Sequence, residues 1–262
     1  MNKFLVLLAF FGLSVSTAFA ETANQLKTTI ETFVHGGAGA LSALVTGNTV
    51  SVTGKITGAT NVLPLNIDPN VTVVWKADYT GTANFPDVVI SLSNTGAFEV
   101  VDGGHIRNNG DSFAIQNDVS NSKIIVSGGT VGGIYSRGNV TVSGGTVNTE
   151  KNISALDVYG DSSSTVTVSG GVISSKRQAI NAYNSCNVVI SGGVLTGDGF
   201  GYGDEIILID EENTLTVSGG MILAKKGYAI NNSSGGTLTI SGGVGFAYGT
   251  SVADVINGTL FR

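Results

Sequence analysis

Alternating apolar and polar residues along most of this chain predict short β-strands. In Val140-Thr141-Val142-Ser143 the valines would point into a core and the hydroxyls outward, because successive side chains of a strand lie on opposite sides. Similar alternation begins at Thr49, and β-branched runs follow at 71–75 and 88–92. The pattern predicts an all-β domain over residues 49–262.

A short phrase, Val-Ser-Gly-Gly-x-Val, punctuates the alternation. Its first clean copy is Val126–Val131, and close copies stand at 142–147, 168–173, 190–195, 217–222 and 240–245, with a related segment at 101–106. The Ser or Asp of the phrase recurs after 25, 16, 26, 22, 27 and 23 residues. Repetition at this length is typical of a solenoid, and the paired glycines suit a tight corner.

A third strand is predicted between successive copies of the phrase. We align its centres on one apolar residue per repeat, namely Ile115, Ile134, Leu156, Ile180, Ile209 and Ile230. Three strands per repeat predict a parallel β-helix of about nine turns, on the order of 40 Å long at about 4.8 Å per turn.

The Val-Ser-Gly-Gly-Thr-Val array resembles right-handed parallel β-helix proteins of the pectate-lyase-like architecture, and more narrowly bacterial surface proteins with such arrays. The resemblance covers about Thr49 to Thr250. It implies a right-handed coil, and its relatives include lyases, hydrolases and non-catalytic adhesins, so the fold does not decide the function.

The N-terminal residues carry two other signals. Residues 1–20 combine a basic start, an apolar run and the ending Ala18-Phe19-Ala20, which predicts a signal peptide and an exported protein, extracellular, at the cell surface or periplasmic. In residues 21–48, Leu26, Ile30, Phe33 and Val34 lie on one face of a helix. We expect this helix to cap the first turn, with a glycine-rich linker after it.

Composition excludes several functions. Only 12% of residues are charged and the net charge is −6, which lacks the basic surface that nucleic-acid binding needs. No segment is apolar for long enough to span a membrane. The single cysteine, Cys186, forms no internal disulfide, and with His35 and His105 it makes no metal-site pattern. We therefore expect no cofactor and no metal, and leave the oligomeric state open.

The third strands supply the candidate site. The alignment places Asp157, Asn181 and Asp210 in one outward row, with Arg137, Tyr159 and Tyr183 two residues further along their strands. Tyrosine rings beside planar polar groups suit a polysaccharide or cell-surface glycan. The candidate ligand-binding residues are Arg137, Asp157, Tyr159, Asn181 and Tyr183. The alternative is an ordinary solvated face stabilised by contacts between neighbouring strands.

The favoured function is thus an exported, non-enzymatic, adhesin-like or carbohydrate-interacting solenoid. A competing hypothesis is a polysaccharide lyase or glycoside hydrolase using Asp157 and Asp210, which the alignment sets two turns apart, roughly 9.6 Å. A third is ice binding by rows of outward Thr and Ser, such as Thr141 and Thr167. The basic pairs Lys176-Arg177 and Lys225-Lys226, with Asp198, Asp204 and Glu205 in the repeat between them, predict a surface ion-pair ladder.

Overall fold

The computed structural model of this chain is a parallel β-solenoid of about eight turns with one short N-terminal helix. It describes residues 20–161, 163–198, 205–210, 212–232 and 235–247, and the backbone of 256–258. The predicted signal peptide, except Ala20, lies outside the described residues.

Each turn contributes one strand to each of three stacks, which form the first, second and third faces. Strands are numbered in chain order. The first face contains β2 (Thr49–Ala59), β4 (Thr72–Trp75), β7 (Ala97–Val100), β10 (Lys123–Val126), β13 (Asn139–Val142), β16 (Thr165–Val168), β19 (Asn187–Ile190), β22 (Thr214–Ala224) and β24 (Thr237–Ala247).

The second face begins and ends with the second halves of long strands that continue around the corner, β2 at one end and β22 and β24 at the other. Between them lie β5 (Asp78–Gly81), β8 (His105–Asn108), β11 (Thr130–Val131), β14 (Thr146–Thr149), β17 (Val172–Ser175) and β20 (Val194–Gly197).

The third face contains β3 (Leu63–Asn66), β6 (Ile90–Ser93), β9 (Ile115–Asn117), β12 (Ile134–Ser136), β15 (Leu156–Tyr159), β18 (Ile180–Tyr183), β21 (Glu205–Ile209), β23 (Tyr228–Asn232) and β25 (Ile256–Gly258). Its nine described strands are separated by eight intervals, close to the predicted number of turns. The prediction of three strands per turn is confirmed.

The core is a column of apolar side chains inside the coil. Val140 and Val142 are fully buried, as the alternation predicts, and Val166 and Val168 occupy the same positions one turn later. In the early turns Trp75, Tyr79 and Phe98 are fully buried, and the Trp75 ring contacts both other rings. Strand alternation therefore specifies the core on every turn.

The Ser-Gly-Gly phrase forms the corner between the first and second faces. A Cβ on Gly144 would lie 2.3 Å from the Ser127 carbonyl oxygen of the preceding turn, and Gly145 has a φ of +65°. The first glycine is thus required by close stacking and the second by backbone conformation. The phrase has a structural role.

The N-terminal end is closed by α1 (Ala23–Thr32) and β1 (Ala38–Thr46). Thr22 and Gln25 form a capping box, and Leu26 and Ile30 are fully buried, so the predicted helix is confirmed. Val34, however, is 75% exposed, because the helix ends before it. β1 lies within the segment expected to be a linker, and it pairs antiparallel with β2. This pairing covers the strand edge of the first turn.

Candidate functional site

The outward side chains of the third face form two parallel rows. The inner row is defined by backbone pairing and consists of Gln116, Tyr135, Asp157, Asn181, Leu208 and Asn231. The outer row stands two residues further along each strand and includes Arg137, Tyr159 and Tyr183. The five predicted ligand-binding residues therefore lie together on three consecutive turns.

Asp210 does not belong to the inner row, so the predicted line of Asp157, Asn181 and Asp210 is wrong. Asn181 pairs with Leu208, and Ala182 pairs with Ile209. The error arises because 206–209 is an uninterrupted apolar run, in which alternation does not define the register. One residue beyond the Ala182–Ile209 pair stand Tyr183 and Asp210, which places Asp210 at the end of the outer row.

The five predicted ligand-binding residues form a cluster, in which Tyr159 provides an exposed aromatic ring. Its side chain is 41% exposed, and its ring centre lies 6.1 Å from that of Tyr183 with an angle of 51° between the planes. On the preceding turn, the Arg137 guanidinium carbon lies 5.1 Å from the centre of the Tyr159 ring. A hydrogen bond with Tyr135 raises the pKa of Arg137 above its usual value. The cation thus lies over one face of the Tyr159 ring, and part of the side chain stays exposed.

Asp157, Asn181 and Tyr183 form a hydrogen-bonded group within this cluster. Asn181 donates through Nδ2 to the Tyr183 hydroxyl oxygen. Tyr183 and Asn181 also hydrogen-bond the Asp157 carboxylate, but burial outweighs these bonds and raises the pKa of Asp157. Burial likewise raises the pKa of Tyr183. The side chains are therefore mutually positioned before any ligand arrives.

One acceptor in this group has no hydrogen-bond partner among the residues that the structure describes. Asn181 is only 3% exposed, and its Oδ1 accepts no hydrogen bond within the described part of the chain. Leaving such an atom unpaired costs about 1–3 kcal/mol. Because this oxygen is buried, it does not provide a contact for a ligand that approaches from solvent.

Two contributing residues were not identified as site residues from sequence. Tyr135 hydrogen-bonds Arg137, and the charge of Arg177 lowers the pKa of Asp157 against the effect of burial. Tyr135 follows the aligned centre Ile134 as Asp157 follows Leu156, and this equivalent position in the repeat was the available signal. Arg177 precedes β18, and its position depends on the corner between the second and third faces, whose length varies between repeats.

The predicted ion-pair ladder is present only in part. Lys225 Nζ lies 2.6 Å from Asp198 Oδ1 on the neighbouring turn. Glu205 instead faces inward: it is 1% exposed and accepts a 2.6 Å hydrogen bond from Gln178 Nε2. Asp204 lies outside the described residues. Glu205 was expected in the linker before the third strand, whereas the strand β21 begins at Glu205 itself.

The histidines and the cysteine take separate positions. His35 is buried, with Nδ1 2.9 Å from the Tyr79 hydroxyl, whereas His105 is exposed on the second face. Cys186 is a buried free thiol whose pKa burial raises to about 12. Among the described residues, no group of three or more His, Cys, Asp or Glu side chains is placed to hold a metal ion.

The threonines of the first face also align across turns. Thr141 pairs with Thr167, and Thr216 pairs with Thr239, while Val189 separates the two pairs. The strands keep their register along this row, but the valine interrupts the series of hydroxyl groups.

No protein-family model, curated protein or solved structure matches this chain. Within the described part of the chain, no helix is long and apolar enough to cross a membrane.

Proposed function

We propose that this protein is an exported, non-enzymatic carbohydrate-binding solenoid of adhesin-like type, and that the cluster on the third face is its glycan site. The observation that carries the proposal is the exposed Tyr159 ring beside Arg137 and the Asp157–Asn181 pair. A sugar ring would pack on the part of the Tyr159 ring that Arg137 leaves exposed, while its hydroxyls bond to the planar polar groups. The ligand class is a polysaccharide or cell-surface glycan.

The extent of the cluster along the stack favours binding of a sugar chain that lies parallel to the solenoid axis. The inner and outer rows are open along the stack, and successive turns are about 4.8 Å apart. Arg137, Tyr159 and Tyr183 therefore provide one contact per turn over three turns. A glycan lying along the solenoid axis would meet them in sequence.

A glycan array followed by titration calorimetry tests this proposal. We expect a hit whose affinity falls about tenfold or more in Tyr159→Ala, since a stacked aromatic ring contributes about 0.5–1.5 kcal/mol beyond its buried area. Tyr228→Ala is the matched control, because Tyr228 lies three strands away on β23 and is also partly exposed. Equal affinity of the two variants would rule out the site.

The hydrolase or lyase hypothesis required Asp157 and Asp210 to lie in one row. Asp157 stands in the inner row and Asp210 at the end of the outer row, so the two do not form the aligned arrangement that the sequence predicted. Incubation of the bound glycan with the protein, followed by analysis of reducing and unsaturated ends, tests for turnover. Their release would replace the binding role with a catalytic one.

Ice binding is a second candidate, favoured by the in-register threonines of the first face. Thr165-Val166-Thr167 and Thr214-Leu215-Thr216 present two outward threonines per strand. Thermal hysteresis at millimolar protein concentration would support this function. Its absence, with normal ice growth, would dismiss it.

A further inference from the structure

A groove on the second face lies away from the tyrosine cluster. It has a volume of about 790 Å³ and extends from β5 to just beyond β17; its lining includes His105, Arg107, Thr130 and Asn148. The groove exists partly because Gly132 follows the two-residue strand β11 and lacks a side chain where neighbouring turns carry Arg107 and Asn148.

The charges along the groove are unevenly compensated. Asp78 lies 2.7 Å from Lys55, and Lys151 lies 3.6 Å from Asp111. In the part of the chain that the structure describes, neither Arg107 nor Lys176 takes part in an ion pair. A guanidinium and an ammonium group without an ion pair to any described residue thus line one groove.

One acidic side chain in the groove partly offsets the positive charges of Arg107 and Lys176. Glu150 also lines the groove without an ion pair to a described residue. Two uncompensated cations against one carboxylate leave the groove positive on a protein whose net charge is −6. An oxyanion would be attracted here, and Arg107 can hold it through two parallel hydrogen bonds.

The uncharged lining suits sugar hydroxyls. Thr80, Thr130 and Asn148 offer hydroxyl and amide groups, while no Tyr, Trp or Phe is among the described lining residues. Without an aromatic platform, a neutral sugar would have little to stack on, so recognition depends on charge. This is the reverse of the third face.

We infer that this groove is a second ligand site, for a saccharide that carries a carboxylate or sulfate group. Arg107 and Lys176 would bind the anion, and the threonines and Asn148 would bind the adjacent hydroxyls. The inference is independent of the proposed glycan site, since the two share no residue.

Calorimetric titration with a galacturonate trisaccharide, its methyl ester and a sulfated galactose trisaccharide tests the inference. We expect the wild type to bind at least one anionic probe, with an affinity that falls as salt rises, and the neutral ester at least tenfold more weakly. The anionic probe that binds identifies the anion. Equal affinity for the ester, or no binding of either anionic probe at millimolar concentration, would overturn the inference.

Variants separate this groove from the third face. Arg107→Gln and Lys176→Gln should each weaken binding of the anionic probe about tenfold, and Thr130→Phe should block the groove while keeping its charges. Lys226→Gln, a basic residue outside the groove lining, and Tyr159→Ala should leave the affinity unchanged. Thermal unfolding confirms that each variant is folded. Loss of binding in Tyr159→Ala, or retention in Arg107→Gln, would refute the assignment.

Discussion

The guanidinium carbon of Arg137 lies 5.1 Å from the centre of the Tyr159 ring, and the two residues come from adjacent turns. Nothing in their separation along the sequence requires this contact. It arises because equivalent positions of neighbouring repeats are stacked, so that residues 22 apart become neighbours. A binding site on this fold is therefore assembled across turns.

Replacing Arg137 should affect ligand binding more than stability. Arg137 is exposed, and an exposed cation–π contact contributes about 0.5–1 kcal/mol. We expect Arg137→Gln to lower the free energy of unfolding, measured by urea denaturation, by no more than about 1 kcal/mol. The same variant should bind the glycan about tenfold more weakly. A loss of several kcal/mol in stability would instead indicate a structural role.

The two aspartates should behave differently. Asp157→Asn keeps the shape of the side chain but removes a carboxylate that Tyr183 and Asn181 hydrogen-bond, so glycan affinity should fall about tenfold. Asp210→Asn should change affinity less than twofold, because Asp210 follows β21, one turn beyond the three turns that carry the five binding residues. Calorimetry on both variants checks this, and equal losses would contradict the register described above.

The corner glycines should tolerate no side chain. Gly144→Ala would bring Cβ within 2.3 Å of the Ser127 carbonyl oxygen, and we expect a loss of about 3 kcal/mol or more in the free energy of unfolding. Gly132→Ala is the matched control, because its nearest atom would lie at 3.4 Å. Denaturation curves of the two variants should differ clearly; similar curves would show that the corner can relax.

Stability should fall as the pH decreases below about 6.5. Burial lowers the pKa of His35 in the folded protein, so the unfolded chain binds its proton first and acidification favours unfolding. The loss begins at the unfolded value of 6.5 and is complete below the folded value. Urea denaturation from pH 7.5 to 5 should show this slope.

His35→Gln is the control for the pH effect, and it should flatten the slope in that range. The carboxylates act in another range: hydrogen bonds with Ser163 and Ser120 lower the pKa of Asp161, so its contribution is lost only below the ordinary value of 3.8. An unchanged slope between pH 7.5 and 5 in His35→Gln would exclude His35 as the cause.

The N-terminal cap should be needed for solubility as well as stability. Leu26 is fully buried under the first turn, and Leu26→Ala should cost about 2–5 kcal/mol. Because the cap covers a strand edge, the variant should also aggregate sooner on heating. Asn24→Ala, at an exposed position of α1, is the comparison. Urea denaturation measures the loss of stability, and light scattering during a thermal ramp measures the onset of aggregation of the two variants. Identical onset temperatures would argue against an edge-protecting cap.

Much of the architecture was predictable because alternation and glycine phrases encode it locally. Val140 and Val142 were placed in the core, and the phrase at Val126–Val131 at a corner, from the sequence alone. The β21 register was not, since four consecutive apolar residues satisfy either choice. β1 was also missed, because its antiparallel pairing with β2 depends on how the cap packs and has no counterpart in the repeat.

The candidate site was predictable to the extent that the register was. Asp157, Asn181, Tyr159 and Tyr183 were brought together correctly, because β15 and β18 share clear centres at Leu156 and Ile180. The groove on the second face was not foreseen. It depends on the missing side chain at Gly132 and on corner residues such as Lys176, whose positions no periodic pattern fixes.

The contact between Gly144 and Ser127 has a consequence for how such a chain can change. Each corner glycine is constrained by the turn immediately before it, so whole repeats can be inserted or removed while every remaining corner keeps an equivalent neighbour. The variable segments between corners can then lengthen or shorten independently. Stack length and surface chemistry are thus separately adjustable, and new sites can arise on one face while the others stay intact.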